Sequence, residues 1–89
     1  MIPRLVLYHR PGCHLCEQML AALRNAYGDE VDVYLIDVDT DTALQKRFGL
    51  RVPVLAAEDE VLCETRLDGA RLDAYFSRCR DRPAAGEPL

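Results

Sequence analysis

The chain lacks any apolar run approaching the ~18 residues of a helical membrane span, so a membrane-spanning role is not expected. The only apolar stretch near its start, Leu5 to Tyr8, is too short for the core of a secretory signal. The expectation is a cytoplasmic protein. No block of Lys or Arg appears, and a formal net charge of -4 with a pI near 5.0 works against extended contact with phosphate backbones or anionic lipid. Neither nucleic acid nor a membrane is an expected partner. Internal repeats, low-complexity tracts and interdomain linkers are absent as well, and four cysteines without an export signal do not imply a secreted disulfide framework. Reduced thiols are the starting expectation.

What is present is the composition of a small globular domain. Hydrophobic residues make up 49% of the 89 and charged residues 29%. A chain of this length buries ~60 to 65% of its unfolded surface, enough for one core and not two. The expected division is a single domain over residues 1–80 and a frayed tail over 81–89, where Pro, Ala and Gly gather.

Arg4 to His9 is a short β-favouring run that stops at Pro11-Gly12, a pair suited to a tight turn. From Cys13 onward apolar residues recur at spacings of three and four through Tyr27, and Gly28 follows as a helix stop. Val31 to Val38 is rich in β-branched and aromatic residues and reads as a central strand. Thr42 and Gln45 match a reciprocal capping pattern for a short helix that ends at Phe48-Gly49. Val52 to Ala57 and Val61 to Glu64 flank the polar turn Glu58-Asp59-Glu60 and read as an antiparallel hairpin. Asp68 is the expected N-cap of a last helix whose apolar face is Leu72, Tyr75, Phe76 and Cys79. The order is β-α-β-α-β-β-α. A right-handed crossover then makes the first two strands parallel, the hairpin adds antiparallel strands, and helices flank both faces of a four-stranded mixed sheet.

The motif that carries chemistry is Cys13-His14-Leu15-Cys16, placed where the first strand hands over to the first helix. Unpaired amides and the positive end of the helix dipole favour an anion at Cys13. Thiols in such motifs fall from a pKa of ~8.5 to between ~3.5 and ~7.5, and the thiolate is the attacking species. Cys16, one turn further in, suits the resolving thiol that attacks a mixed disulfide at Cys13. Arg10, permanently cationic, and His14, if protonated or donating to sulfur, are the local groups able to help. A zinc site would need a second close pair of ligands, whereas Cys63 and Cys79 are dispersed and read as packing residues. No metal is expected. Asp37, Asp39 and Asp41 imitate half a calcium loop, but Thr42 stands where that loop needs Gly and Phe48 where it needs Glu. They read as a strand end and helix-start caps, with Asp37 a weak candidate for relaying a proton from Cys16.

Val52-Pro53 opens an expected interior strand, which is awkward for proline unless its missing donor faces an opening or its peptide bond is cis. Taken with the upstream strand, dithiol and helix, it carries a resemblance. Tyr8 to Cys16 and Arg51-Val52-Pro53-Val54 resemble the two signature segments of glutaredoxins, and the likeness spans roughly Arg4 to Arg78.

That resemblance implies an α/β thioredoxin-like fold, a nucleophilic Cys13, a resolving Cys16, and a cis Pro53 beside the sulfurs. It implies that backbone atoms of Val52 pair with substrate, and that Arg10 stands for the family's usual basic residue. The chain departs from the family in having His14-Leu15 rather than Pro-Tyr and Arg51 rather than Thr. It also lacks the Gly-Gly pair before the last helix, reading Glu64-Thr65-Arg66-Leu67-Asp68. That region helps hold the glutamyl end of glutathione in the family, so Asp68 is the remaining candidate there. The resemblance therefore speaks for dithiol chemistry more than for one substrate.

The expected activity is thiol-disulfide exchange on protein or glutathione mixed disulfides, driven by a thiol reductant. Nothing is expected to be tightly bound; glutathione is the candidate reductant. Two other readings stay open: an iron-sulfur or metal-binding module using Cys13, and a redox-inactive fold reused for protein binding.

Overall fold

Leu5 and Leu7 alternate with Val6 and Tyr8, and this period of two makes Arg4–His9 strand β1. The computed structural model describes residues 3–57 and 60–81, with side chains through residue 78. After β1 come helix α1 (His14–Tyr27), strand β2 (Asp32–Asp37), helix α2 (Thr42–Phe48), strands β3 (Val54–Ala57) and β4 (Glu60–Glu64), and helix α3 (Gly69–Asp81). This is the expected order. Single 3-10 turns at Gly28–Glu30 and Val38–Thr40 lead into and out of β2.

The sheet runs β2-β1-β3-β4. Strand β2 is parallel to β1, with Leu35 beside Leu7 and Asp37 beside His9. Strand β3 is antiparallel to β1 on its other side, and β4 is antiparallel to β3. Leu55 faces Cys63 while Ala56 faces Val61, which makes Leu62 the extra residue of a bulge. The expectation of a central β2 is corrected: it is an edge strand, and β1 and β3 are the central ones. Its β-branched run describes a strand but not its neighbours. The exposure of Tyr34 and Leu35 marks the edge.

Helices α1 and α3 cover one face, where Leu5, Leu7, Met19, Leu23, Leu55 and Leu72 are buried together. Helix α2 covers the other through Phe48, against Val38 and Val54, with Tyr8 stacked on Phe48 at 4.5 Å. Burying one such leucine contributes about 1.5 to 3 kcal/mol, so this face supplies most of the apolar driving force. Phe76 lies on the same face, edge-on to Tyr27 at 5.1 Å, so α1 and α3 also meet directly.

The caps follow local chemistry. Gly28 ends α1, its N–H donating to the Arg24 carbonyl. Asp68 accepts from the Arg71 N–H at 3.1 Å and starts α3 as expected. The α2 cap differs from expectation: Asp41, not Thr42, accepts from the N–H groups of Ala43 and Leu44, at 2.8 and 3.3 Å. A carboxylate one residue earlier is the stronger acceptor for orphan amides, and Gln45 turns away to Asp39 instead of reaching back. Strand β3 begins at Val54 rather than Val52, because Val52 donates to the Phe48 carbonyl and Pro53 has no N–H to give. Helix α3 continues through Asp81. The turn residues Glu58 and Asp59, the packing of Cys79 and residues 82–89 of the expected tail lie outside the described residues and side chains.

Candidate functional site

Tyr8 stands opposite Val54, His9 beside Asp37, and Val54 opposite Glu64. The loop after β1, the segment before β3 and the loop after β4 therefore leave the sheet at one end. Arg10, Cys13, Val52, Pro53 and Asp68 are on these three segments, and His14 and Cys16 are in the first turn of α1, which follows the first of them.

Pro11-Gly12 makes the turn out of β1, and Gly12 has φ +76, a left-handed conformation that side chains disfavour. The turn closes with the Cys13 N–H donating to the Arg10 carbonyl at 3.3 Å. Cys13 then occupies the N-cap of α1. Its sulfur takes the position of a capping oxygen and accepts the Cys16 N–H at 3.1 Å. Cys13 and Cys16 are joined as a disulfide, with Cα atoms 5.2 Å apart. Cys13 is half-buried, while Cys16 is 4% exposed. That asymmetry gives an incoming reagent access to the first sulfur and shields the second. His14 projects into solvent, its Nδ1 3.7 Å from the Glu17 carboxylate.

Arg10 does not stand free beside the sulfurs. Its Nε and Nη2 donate to Asp39 Oδ1 at 3.2 and 2.9 Å, and its Nη1 donates to the Gly49 carbonyl at 3.1 Å. Gln45 donates to the same Asp39 oxygen at 3.2 Å. The hydrogen bonds from Arg10 and Gln45 hold the Asp39 carboxyl below the usual carboxylate range. Arg10 thus ties the dithiol loop to the turn after β2 and the end of α2. Any field it exerts on Cys13 is that of one half of an ion pair.

The Val52–Pro53 peptide bond is cis, and Pro53 is buried. The Pro53 carbonyl accepts the Thr65 N–H at 3.0 Å. Beside it, Arg51 grips Glu64 with two parallel bonds, Nε to Oε1 at 3.0 Å and Nη2 to Oε2 at 2.6 Å. This keeps the Glu64 carboxyl below its ordinary range. The pair clamps the segment before β3 to the end of β4. Leu50, next to Arg51, is fully exposed, and Leu15, inside the dithiol motif, is 45% exposed.

Asp68 uses its carboxylate on the Arg71 N–H, and its own N–H donates to the Cys63 sulfur at 3.3 Å. Cys63 is buried in the core, as expected of a packing residue, and burial pushes its thiol up from the ordinary cysteine value. An open depression of about 530 Å³ lies here, walled by Cys63, Glu64, Arg66, Leu67, Asp68 and Arg71. The acidic triad is accounted for by caps and pairing: Asp37 accepts the Asp39 N–H at 2.8 Å, Asp39 holds Arg10, and Asp41 caps α2. Among the described residues, no three His, Cys, Asp or Glu converge as metal ligands.

Sequence reasoning missed the partners of Arg10 and the Arg51–Glu64 pair. Asp39 is 29 residues from Arg10 and Glu64 is 13 from Arg51, and no local pattern announces either contact.

Residues 4–77 match the family model of the glutaredoxin-like domain (DUF836). The crystal structure of target protein XcR50 from X. campestris is similar over 83% of this chain and 96% of its own, at 36% identity and TM-score 0.66. The solution structure of XcR50 gives 36% identity and TM-score 0.65 over 91% and 97%. A malarial protein at 16% identity, TM-score 0.52, covering 88% of this chain and 97% of that one, shares the fold alone. No curated protein matches at a significant level. With four strands in the order β2-β1-β3-β4, helices on both faces and a cysteine pair at the start of α1, the chain belongs to the glutaredoxin-like family and has a thioredoxin-like fold.

Proposed function

We propose that the protein is a thiol-disulfide oxidoreductase in which Cys13 attacks and Cys16 resolves. The observation that supports this reading most directly is the Cys13 sulfur at the N-cap of α1, accepting the Cys16 N–H, with Cys16 buried behind it. In the reduced protein a Cys13 thiolate attacks one sulfur of a substrate disulfide. A Cys13 mixed disulfide forms and the other substrate sulfur leaves as thiolate. The Cys16 thiolate then attacks the Cys13 sulfur, releases the second substrate thiolate and closes the Cys13–Cys16 disulfide. Two electrons from an external thiol reductant, glutathione among the candidates, restore the dithiol. Its substrates are disulfide-containing or glutathionylated proteins in a reducing compartment such as the cytoplasm.

Arg10 and His14 flank the dithiol along the chain, Val52 offers backbone atoms before Pro53, and Asp68 borders the depression after β4. In this reading these residues orient the substrate. The test compares wild type, Cys13→Ser and Cys16→Ser on a glutathione mixed disulfide and on a protein disulfide. Loss of both activities in Cys13→Ser is expected, and full activity of that variant would overturn the mechanism. Cys16→Ser active on the glutathione substrate alone would mark glutathione as a true substrate. A coloured purified protein whose chromophore needs Cys13 would favour the iron-sulfur alternative.

A further inference from the structure

Two large apolar side chains are exposed on the segments that carry the dithiol and the cis bond. Leu15 lies between the two cysteines, and Leu50 lies two residues before Val52. Leu50 is fully exposed on a turn that is held from both sides. The Gly49 carbonyl accepts Arg10 Nη1 at 3.1 Å, the N–H groups of Arg51 and Val52 both donate to the Phe48 carbonyl, at 2.7 and 3.0 Å, and Arg51 grips Glu64. The Arg10 carbonyl in turn accepts the Cys13 N–H. Leu50 is therefore tied through Gly49 and Arg10 to the loop that presents Cys13, and the gain from burying it is forgone there.

The polar groups of the same segments are already matched. Arg10 is engaged by Asp39 and Arg51 by Glu64. Val52, with its N–H on Phe48, has at most its carbonyl for a substrate backbone, and the Asp68 carboxylate caps α3. Glutathione brings two carboxylates, and its cysteine is flanked by a γ-glutamyl group and a glycine, neither of which offers an apolar side chain. At Arg10 and Arg51 its carboxylates meet cations that are already paired, and it leaves the leucines uncovered. A protein segment with apolar residues beside its cysteine can cover those leucines and needs no cation.

We propose that Leu15 and Leu50 are specificity-determining residues of the dithiol site, selecting protein substrates whose reactive cysteine is flanked by apolar residues over glutathione. This inference rests on the reading of Cys13 as the nucleophile. The flanking side chains leave water against Leu15 and Leu50 as the Cys13 mixed disulfide forms, so the gain falls on the attack step.

The test follows single turnovers of the reduced full chain with three thionitrobenzoate mixed disulfides: an end-capped Gly-Leu-Cys-Leu-Gly peptide, its twin with Gly for Leu, and glutathione. Cys13 thiolate attacks the peptide or glutathione sulfur, the bond to thionitrobenzoate breaks, and that coloured thiolate leaves; Cys16 then closes the disulfide and frees the bound thiol. With each rate divided by that of dithiothreitol on the same probe, the Leu peptide is expected to react at least about fivefold faster than the Gly peptide or glutathione. Leu15→Ser combined with Leu50→Ser should cut the ratio of Leu to Gly rates at least about threefold, whereas Leu15→Met combined with Leu50→Met should keep it. If the double Ser variant does not fold, Leu50→Ser alone, outside any helix, should cut the ratio measurably. Equal rates for the two peptides, a glutathione rate matching that of the Leu peptide, or an undiminished ratio in a folded Ser variant would overturn the proposal while leaving the dithiol reading standing. Failure of Cys13 to react with any probe would overturn both.

Discussion

The backbone N–H of Cys16 points at the sulfur of Cys13 from 3.1 Å, so the nucleophile proposed for this protein is also the side-chain cap of its first helix. Once the disulfide is reduced, the same N–H and the helix terminus serve a thiolate. At about pH 6.5, iodoacetamide should therefore modify Cys13 at least about tenfold faster than Cys16 or Cys63, since reactivity follows thiolate content and access. Peptide mapping by mass spectrometry after partial alkylation checks this. Equal labelling of Cys13 and Cys63 would mean that Cys13 is an ordinary thiol.

Arg10 and Asp39 offer a way to learn what the cation does for the sulfur. The pair is exposed, so breaking it should scarcely move the melting temperature. If the field of Arg10 supports the Cys13 thiolate, Asp39→Asn frees that field and raises the Cys13 alkylation rate, by about twofold to fivefold, while Arg10→Gln lowers it. Because Asp39 is held below the usual carboxylate range, the pair is intact at neutral pH. Its contribution is present above the unfolded carboxyl value of 3.8 and is lost as pH falls through the depressed folded value. The difference between wild type and Asp39→Asn should accordingly vanish in acid.

Cys63 should behave as structure rather than catalyst. Its sulfur accepts the Asp68 N–H at 3.3 Å, and burial keeps it a neutral thiol. Cys63→Ala leaves that N–H without its acceptor and should cost about 1 to 3 kcal/mol in urea unfolding. Disulfide exchange at Cys13 should continue at more than about half the wild-type rate, because the truncated group is not in the reacting set. A selective loss of turnover without loss of stability would assign Cys63 a redox role.

Tyr27 ties α1 to α3 by donating to Asp73 Oδ1 at 2.9 Å. Burial first, then the bond and charge of Asp73, push its phenol up to about 12. A raised folded value means that the neutral phenol is favoured in the fold. The stabilisation is full below the unfolded value near 10.0 and disappears as pH rises through about 12. Tyr27→Phe keeps the ring against Phe76 and should cost up to about 1 kcal/mol at neutral pH, a difference that closes across that alkaline window. Denaturant melts of both proteins at a series of alkaline pH values check it.

The order of elements was legible because each carries its own local chemistry: β-favouring runs, helical spacing from Cys13 to Tyr27, and Asp68 before Leu72 and Phe76. The dithiol was legible for the same reason, since a C-x-x-C after a strand and a Pro-Gly turn has only the start of a helix to occupy. Local chemistry decided less where two residues competed for one task. Thr42 and Asp41 are both capping residues, and the stronger acceptor at the earlier position took the amides of Ala43 and Leu44.

Sequence alone determined that Cys13 and Cys16 would meet at a helix start, because three residues and one helical turn bring them together whatever surrounds them. Only the tertiary structure decided which strand lies at the edge, which carboxylate holds Arg10, and that Arg51 clamps Glu64. Those outcomes depend on chain segments far apart in sequence arriving at one end of a sheet. Pairing across such distances is set by the packing of α1, α2 and α3 on the sheet's two faces, which no local pattern encodes.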